Sequence, residues 1–176
     1  MTDADCRGES KMTDLVFNSV VTQAKNKVEA AEKCWGKNHS NVISELQNLA
    51  ELYKNLKMIN AASSTYWRIL DIQYKLFGPL YSENGRTLVS LAELYELEGE
   101  LLVAEQLFEE ALCVFDSEKT FVNYECLGTV LLKLNYLYTF TNNELKFKAL
   151  EGRVCAYLNQ KFVSGIRALP NLAAIA

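Results

Sequence analysis

Proline is almost missing from this sequence, with Pro79 and Pro170 the only two in 176 residues. A chain so short of helix breakers favours long helices over a strand-and-turn fold. Histidine is rarer still, His39 alone, and no two of the five cysteines (Cys6, Cys34, Cys113, Cys126, Cys155) form a C-x-x-C pair. Zinc ligands are therefore scarce, and neither a metal nor a cofactor is expected. An odd number of widely spaced cysteines suits small apolar residues in a reducing compartment, and Cys34 and Cys113 are read as packing residues. No apolar run approaches the roughly 20 residues that span a bilayer. Met1 to Lys11 is polar with acidic residues, unlike a signal peptide. The net charge is only −4, and no Lys/Arg cluster marks a nucleic-acid or membrane-surface footprint. Gly-rich phosphate loops, Ser nucleophile elbows and paired-histidine metal motifs are missing too. The expectation is a cytoplasmic protein that is not an enzyme.

What the chain does have is a period. Leu49-Ala50-Glu51-Leu52-Tyr53 recurs 42 residues later as Leu91-Ala92-Glu93-Leu94-Tyr95, and Trp35-Gly36 recurs as Phe77-Gly78. A fixed period of this size marks a repeat array, in which each unit buries its apolar face against its neighbours. With 49% of residues apolar, the chain can bury a substantial core.

Helical spacing of apolar residues predicts about seven helices. The first runs from near Met12 and carries Leu15, Val16, Val20, Ala24, Val28 and Ala31. After the turn cluster 36–41, with Ser40 or Asn41 as N-cap, a second places Val42, Ile43, Leu46, Leu49, Ala50 and Tyr53 on one stripe. Its partner spans about Ile59 to Leu76. The next pair covers about 83–97 and 101–116, joined at Glu98-Gly99-Glu100. Two further helices follow at about 120–140 and 143–161, separated by Thr141-Asn142-Asn143. The reading is all-α, an α-solenoid of antiparallel helix pairs. Residues 1–11 are expected as a flexible lead-in, 12–161 as the array, and 162–176 as a C-terminal cap or tail. The clear repeats are 35–76 and 77–118, and their flanks are divergent.

These residues resemble the tetratricopeptide repeat, and within it the 42-residue repeats of kinesin light chain. The resemblance is carried by Gly36-Lys-Asn-His39-Ser40-Asn-Val42-Ile43, then Leu46-Gln-Asn48-Leu49-Ala50-Glu-Leu52-Tyr53. The second unit carries it in Leu88-Val-Ser90-Leu91-Ala92-Glu-Leu94-Tyr95, Gly99 and Ala104 through Leu112. The family pattern departs at Ser40, which replaces a proline, and at Lys57, which stands where the second unit has Gly99. In 119–161 the small positions are taken by Asn135 and Phe147. In this packing Ala50, Ala92, Ala62, Ala104 and Ala111 let helices approach, while Tyr53, Tyr66, Tyr95 and Phe108 fill the gaps between pairs.

The resemblance implies a protein-interaction scaffold or adaptor whose first helices line a concave groove. Carried over by register, the groove residues are Gln47, Asn48, Glu51, Arg86, Val89, Ser90 and Glu93, with Tyr136 from the divergent unit. Glu51 and Glu93 stand where a clamp for a terminal carboxylate would need Asn, Lys or Arg, so an acidic C-terminal tail is not the expected ligand. The implied partner is a protein or peptide with a basic or apolar segment. His39 matches the family's linker histidine and is read as a turn-building residue. Two alternatives stand beside the adaptor. One is a sensor whose curvature changes on peptide binding. The other is an assembly subunit, a homo-oligomer joined through the apolar C-terminus (Ile166, Leu169, Leu172, Ile175), because terminal repeats usually need a polar outer face.

Overall fold

Every apolar stripe becomes a helix. The computed structural model describes residues 3–117 and 124–168, with side chains for 17–117, 126–157 and 159. Seven helices follow one another: α1 (Asp3–Trp35), α2 (Ser40–Asn55), α3 (Ile59–Phe77), α4 (Ser82–Glu98), α5 (Leu101–Ser117), α6 (Tyr124–Phe140) and α7 (Glu144–Ala168). No strand occurs among the described residues. The closest packing lies within the pairs α2–α3 and α4–α5, and each helix also packs on the next in sequence. The units therefore stack in chain order, the architecture of an α-solenoid. Helix α1 begins well before Met12, and α7 continues past residue 161. Leu169, Leu172 and Ile175, named as an assembly surface, lie outside the described residues, as does the side chain of Ile166.

Cross-unit bonds sort the helices into two rows. Lys54 of α2 pairs with Glu93 of α4 at 2.7 Å, and Lys133 of α6 pairs with Glu96 of α4 at 2.7 Å. These tie together the first helices of the three pairs. The second helices are tied by Arg68 to Glu32, by Tyr74 to Glu110 at 2.6 Å and by Arg153 to Asp116 at 2.6 Å. Positions 32, 74 and 116 step by 42 residues, so one site on the second-helix row is reused in each unit with different chemistry, as an acceptor in Glu32 and Asp116 and as a donor in Tyr74. Helix α1 stands in this second row.

The small residues pack as the period requires. Ala50, Ala62, Ala92, Ala104 and Ala111 are all fully buried, as is Phe108, and Tyr53 and Tyr66 are nearly so. Tyr95 is only half-buried, and its hydroxyl accepts a hydrogen bond from Trp67 Nε1 at 3.2 Å. One packing theme was hidden in the sequence. A Cβ on Gly85 of α4 would lie 2.6 Å from Phe115 Cε1, and one on Gly128 of α6 would collide with the Tyr157 ring. These glycines occupy equivalent places, each letting an aromatic ring of the following helix lie against the backbone. The first unit reverses the sizes, with Ile43 at the glycine position and Gln73 in place of the ring. Both are buried, and Gln73 accepts a hydrogen bond from Thr87 Oγ1 at 2.9 Å.

The turns repeat as well. Within the pairs, Lys57, Gly99 and Asn142 all take positive φ, at 57°, 82° and 55°. Each sits in the same frame, in which its N–H bonds three residues back and the next N–H bonds five back. This is the left-handed closure of a helix C-terminus. Between pairs, Gly36 and Gly78 adopt φ of 84° and 85°. An aromatic clasp spans each of these turns: Trp35 stacks on His39 with ring centroids 5.1 Å apart, and Phe77 meets Tyr81 at 4.5 Å. The cap of α2 is His39, not Ser40 or Asn41. Its Nδ1 accepts the Asn41 N–H at 3.2 Å, so the histidine closes the turn with its ring and caps the helix with its nitrogen.

The cysteines depart from expectation. Cys34, Cys113 and Cys155 are exposed and Cys126 is half-buried. Cys113 and Cys155 fall 42 residues apart on α5 and α7, on the side turned away from the core that Ala111, Leu112 and Val154 occupy. Helical phase, rather than the apolar character of the thiol, decides their place.

Candidate functional site

Three first helices, α2, α4 and α6, bury one stripe against their partners and leave another open. In α2 the buried stripe is Val42, Ile43, Leu46, Leu49, Ala50 and Tyr53, and in α4 it is Leu88, Leu91, Ala92 and Leu94. Turned away from these lie Gln47, Asn48 and Glu51 on α2, Arg86, Val89, Ser90 and Glu93 on α4, and Tyr136 on α6. Asn48, Glu51, Arg86 and Tyr136 are exposed, and Gln47, Val89, Ser90 and Glu93 are partly so. Because 42 residues separate the first two units and 43 the next, Glu51, Glu93 and Tyr136 occupy one position three times.

The charges on this face are largely answered from within the protein. Glu93 is paired with Lys54. Glu51 accepts a 2.5 Å hydrogen bond from the Tyr66 hydroxyl of α3. Burial pushes the Tyr66 hydroxyl well above the ordinary tyrosine range, and the Glu51 carboxylate adds to the effect, while Ser90 opposes it by hydrogen bonding. Tyr66 therefore stays a hydroxyl and joins α2, α3 and α4 at one point. Arg86 has only a loose contact with Glu83, 3.6 Å away. Both carboxylates that stand where a terminal-carboxylate clamp would need Asn, Lys or Arg are thus engaged, Glu93 with a cation and Glu51 with a hydroxyl. Sequence reasoning missed Lys54, Lys133 and Tyr66, the residues that answer these carboxylates and that of Glu96. Their partners lie 39, 37 and 15 residues away, and only the packed register brings them together.

The third unit offers a different surface. Leu132, Tyr136 and Phe140 of α6 stand at i, i+4 and i+8 with relative exposures of 48%, 56% and 65%, and the Tyr136 and Phe140 rings stack at 6.3 Å. A cleft of about 410 Å³ lies at the α6–α7 turn, lined by Tyr138, Thr139, Asn142, Glu144 and Phe147. At the other end, a second cleft of about 310 Å³ lies between α1, α2 and α3, with Glu29, Glu32, Thr65 and Arg68 around a floor of Val28, Leu46 and Leu49. Its wall is zwitterionic and its Arg68–Glu32 pair is already made.

On the outer side, Lys146 of α7 donates to Glu105 and Glu109 of α5, each at 2.6 Å. Tyr138 also donates to Glu109 at 2.7 Å. Burial alone would raise the Glu109 carboxyl, but the hydrogen bonds from Lys146 and Tyr138 outweigh it and hold its pKa below the usual range. Hydrogen bonds to Glu105 and then Glu109 raise Lys146. This cluster joins α5, α6 and α7 and reads as structural. Among the described residues, no group of three or more His, Cys, Asp or Glu could hold a metal. None of the described helices is long and apolar enough to cross a membrane.

Helix pairs at a fixed period, small residues at the pair contacts and a first-helix face left open define a tetratricopeptide-type repeat fold. Solved structures agree. The chain superposes on BtubC (BKLC) from P. vanneervenii with a TM-score of 0.72 and 16% identity, over 88% of this chain and 60% of that one. It also matches the nearly identical TPR-like repeats of a putative kinesin light chain from Podosopora anserina, with a TM-score of 0.64 and 15% identity, over 87% of this chain and 72% of that one. A point variant of the latter gives the same TM-score at 16% identity. At these identities the likeness is one of fold. No protein-family model and no curated protein matches the sequence.

Proposed function

We propose that the protein is a non-enzymatic interaction module that holds a segment of a partner protein along the open face of α2, α4 and α6. The observation that carries this is the recurrence of one solvent-facing position, Glu51, Glu93 and Tyr136, on three stacked first helices. A continuous strip of equivalent side chains is what an extended or helical segment needs to be read along its length. The face carries no pair of free cations in register for a terminal carboxylate: Lys54 and Lys133 are committed to Glu93 and Glu96. An acidic tail therefore finds little to hold it, and apolar and hydrogen-bonding contacts do the recognising.

The test uses an exposed double variant, Asn48→Arg/Arg86→Glu, against a control on the second-helix row, Lys75→Glu. All three proteins should share one melting temperature. A protein captured from native extract by the wild type and the control, and lost with the double variant, supports the groove. Equal capture by both variants refutes it.

A further inference from the structure

Along the groove the same helix positions change character from unit to unit. The position of Gln47 becomes Val89 and then Leu132; that of Glu51 becomes Glu93 and then Tyr136; that of Asn55 becomes Leu97 and then Phe140. Leu97 is 69% exposed and Phe140 65%. The trend continues past the turns, where Asn60 of α3 corresponds to Leu102 of α5 and Leu145 of α7, which are 70% and 84% exposed. The groove is polar at the first unit and ends in an apolar ledge built by α4, α6 and the starts of α5 and α7. Exposed apolar side chains gathered at one place on a surface mark a docking site.

An uncapped end of the array does not explain this ledge. Leu97 stays open although α6 follows α4, and the Glu93 side chain keeps 33% exposure with neighbours on both sides. A further unit stacked on α6 would leave the equivalent Tyr136 and Phe140 equally open.

The lysines of α6 and α7 beside the ledge are answered within the protein, Lys133 by Glu96, Lys146 by Glu105 and Glu109, and Lys148 by Glu144. Glu98 and Glu100 are exposed in the turn next to Leu97, so carboxylates are the charge that a ligand meets there. We propose that this ledge seats a partner segment that carries large apolar side chains flanked by lysine or arginine. The proposal rests on the groove reading above and fixes which end of the groove dominates and what chemistry it selects.

The experiment measures fluorescence anisotropy with three labelled synthetic peptides and the full chain. The first peptide, GKKLWKLFKKG, is basic with apolar anchors. The second, GEELWELFEEG, keeps the anchors with acidic flanks. The third, GKKSSKSSKKG, keeps the charge without anchors. Saturable binding of the first, at least tenfold weaker binding of the second and none of the third is expected. Leu132→Ser/Phe140→Ser should weaken the first at least tenfold with an unchanged melting temperature, since both side chains are exposed. Glu98→Lys/Glu100→Lys should narrow the gap between basic and acidic peptides. Comparable binding of the first two peptides, or of the first and third, overturns the proposal, and so does failure of all three to bind. If Asn48→Arg/Arg86→Glu abolishes binding and Leu132→Ser/Phe140→Ser does not, the groove stands and the ledge falls. If neither variant changes it, the groove reading falls as well. Sedimentation gives one more refuting outcome: a wild-type dimer that Phe140→Ser converts to monomer would make a second copy the occupant.

Discussion

Lys57→Gly should stabilise the protein, although it deletes a long side chain and introduces the residue that most loosens an unfolded chain. Lys57 closes α2 with φ of 57°, and its side chain is exposed. Its N–H bonds to the Lys54 carbonyl at 3.0 Å and the Met58 N–H to the Tyr53 carbonyl at 2.9 Å. The second unit makes the same two bonds around Gly99, from its N–H to Glu96 at 3.1 Å and from Glu100 to Tyr95 at 2.9 Å. The backbone frame thus demands the left-handed conformation whichever residue occupies it. A residue with a Cβ pays roughly 1–2 kcal/mol there. Glycine avoids that cost but loses about 0.5–1 kcal/mol more backbone freedom on folding. The difference is a net gain of about 0.5–1 kcal/mol, equivalent to a rise of about 1–4 °C in melting temperature for a chain of this size. Gly99→Lys should lose a comparable amount, and Asn142→Gly should gain less than Lys57→Gly, because asparagine enters this region more readily. Urea titration followed by circular dichroism, with the m-value held constant, measures all three. A lower midpoint for Lys57→Gly, or no change for Gly99→Lys, would refute the claim that the hydrogen-bond frame dictates the turn.

Gly78→Ala should cost about 1–3 kcal/mol, because φ of 85° with ψ of 171° lies where essentially only glycine is found. A Cβ there meets no atom within 4 Å, so the loss reports backbone strain alone, and a neutral melt would count against that geometry. Lys146→Met should destabilise by about 1–3 kcal/mol by leaving the buried Glu105 carboxylate without its cation. Since the folded state lowers the Glu109 pKa, its contribution is present above the unfolded value of about 4.3 and lost as pH falls through the folded one. The stability gap between wild type and Lys146→Met should therefore shrink on acidification below about pH 4, and a gap that widens there would contradict the assignment. Ala92→Trp and Ala104→Trp place indoles at fully buried contacts and should each cost about 1–3 kcal/mol or more. Wild-type melting of both would sink the register.

The sequence was most transparent where burial leaves little choice. Leu49-Ala50 and Leu91-Ala92 repeat because a helix pair at close approach needs a large and a small side chain in that order. The third unit was harder to see for two physical reasons. One extra residue moves its register to 43, and Asn135 and Phe147 stand where the earlier units have alanine. Phe147 is partly buried against the core, so the unit makes room for a ring at that position. His39 was recognisable as a turn residue, but its capping nitrogen was not, because a histidine N-cap has no sequence signature to match Ser or Asn. The groove positions were placed from the register, whereas their charge state was not. Whether Glu93 repels an anion depends on Lys54, and whether Glu51 does depends on Tyr66, and both partners come from neighbouring helices.

The contrast between repeating and varying positions bears on where partner information resides. Leu46, Leu88 and Leu131 are one position, buried to the same degree in each unit, and they are the same residue. Glu51, Glu93 and Tyr136 are also one position, yet the side chain changes from carboxylate to phenol. Packing cannot demand that change, since the position is open to solvent in the first and third units and partly open in the second. Helix propensity does not demand it either: glutamate is the better helix former, so tyrosine at this position forgoes a few tenths of a kcal/mol. Two more apolar side chains flank it one turn away on each side, where the first unit has Gln47 and Asn55. A solvent-exposed helix face gains only a few tenths of a kcal/mol from Leu132, Tyr136 and Phe140 together, through i,i+4 contacts such as the Tyr136–Phe140 stack, and it loses solubility by displaying them. On the proposed reading, the stripe is rewarded by the partner segment that covers it. On the groove reading proposed above, the specificity of this array would lie in its third unit rather than in the two units whose repeat is plain to read.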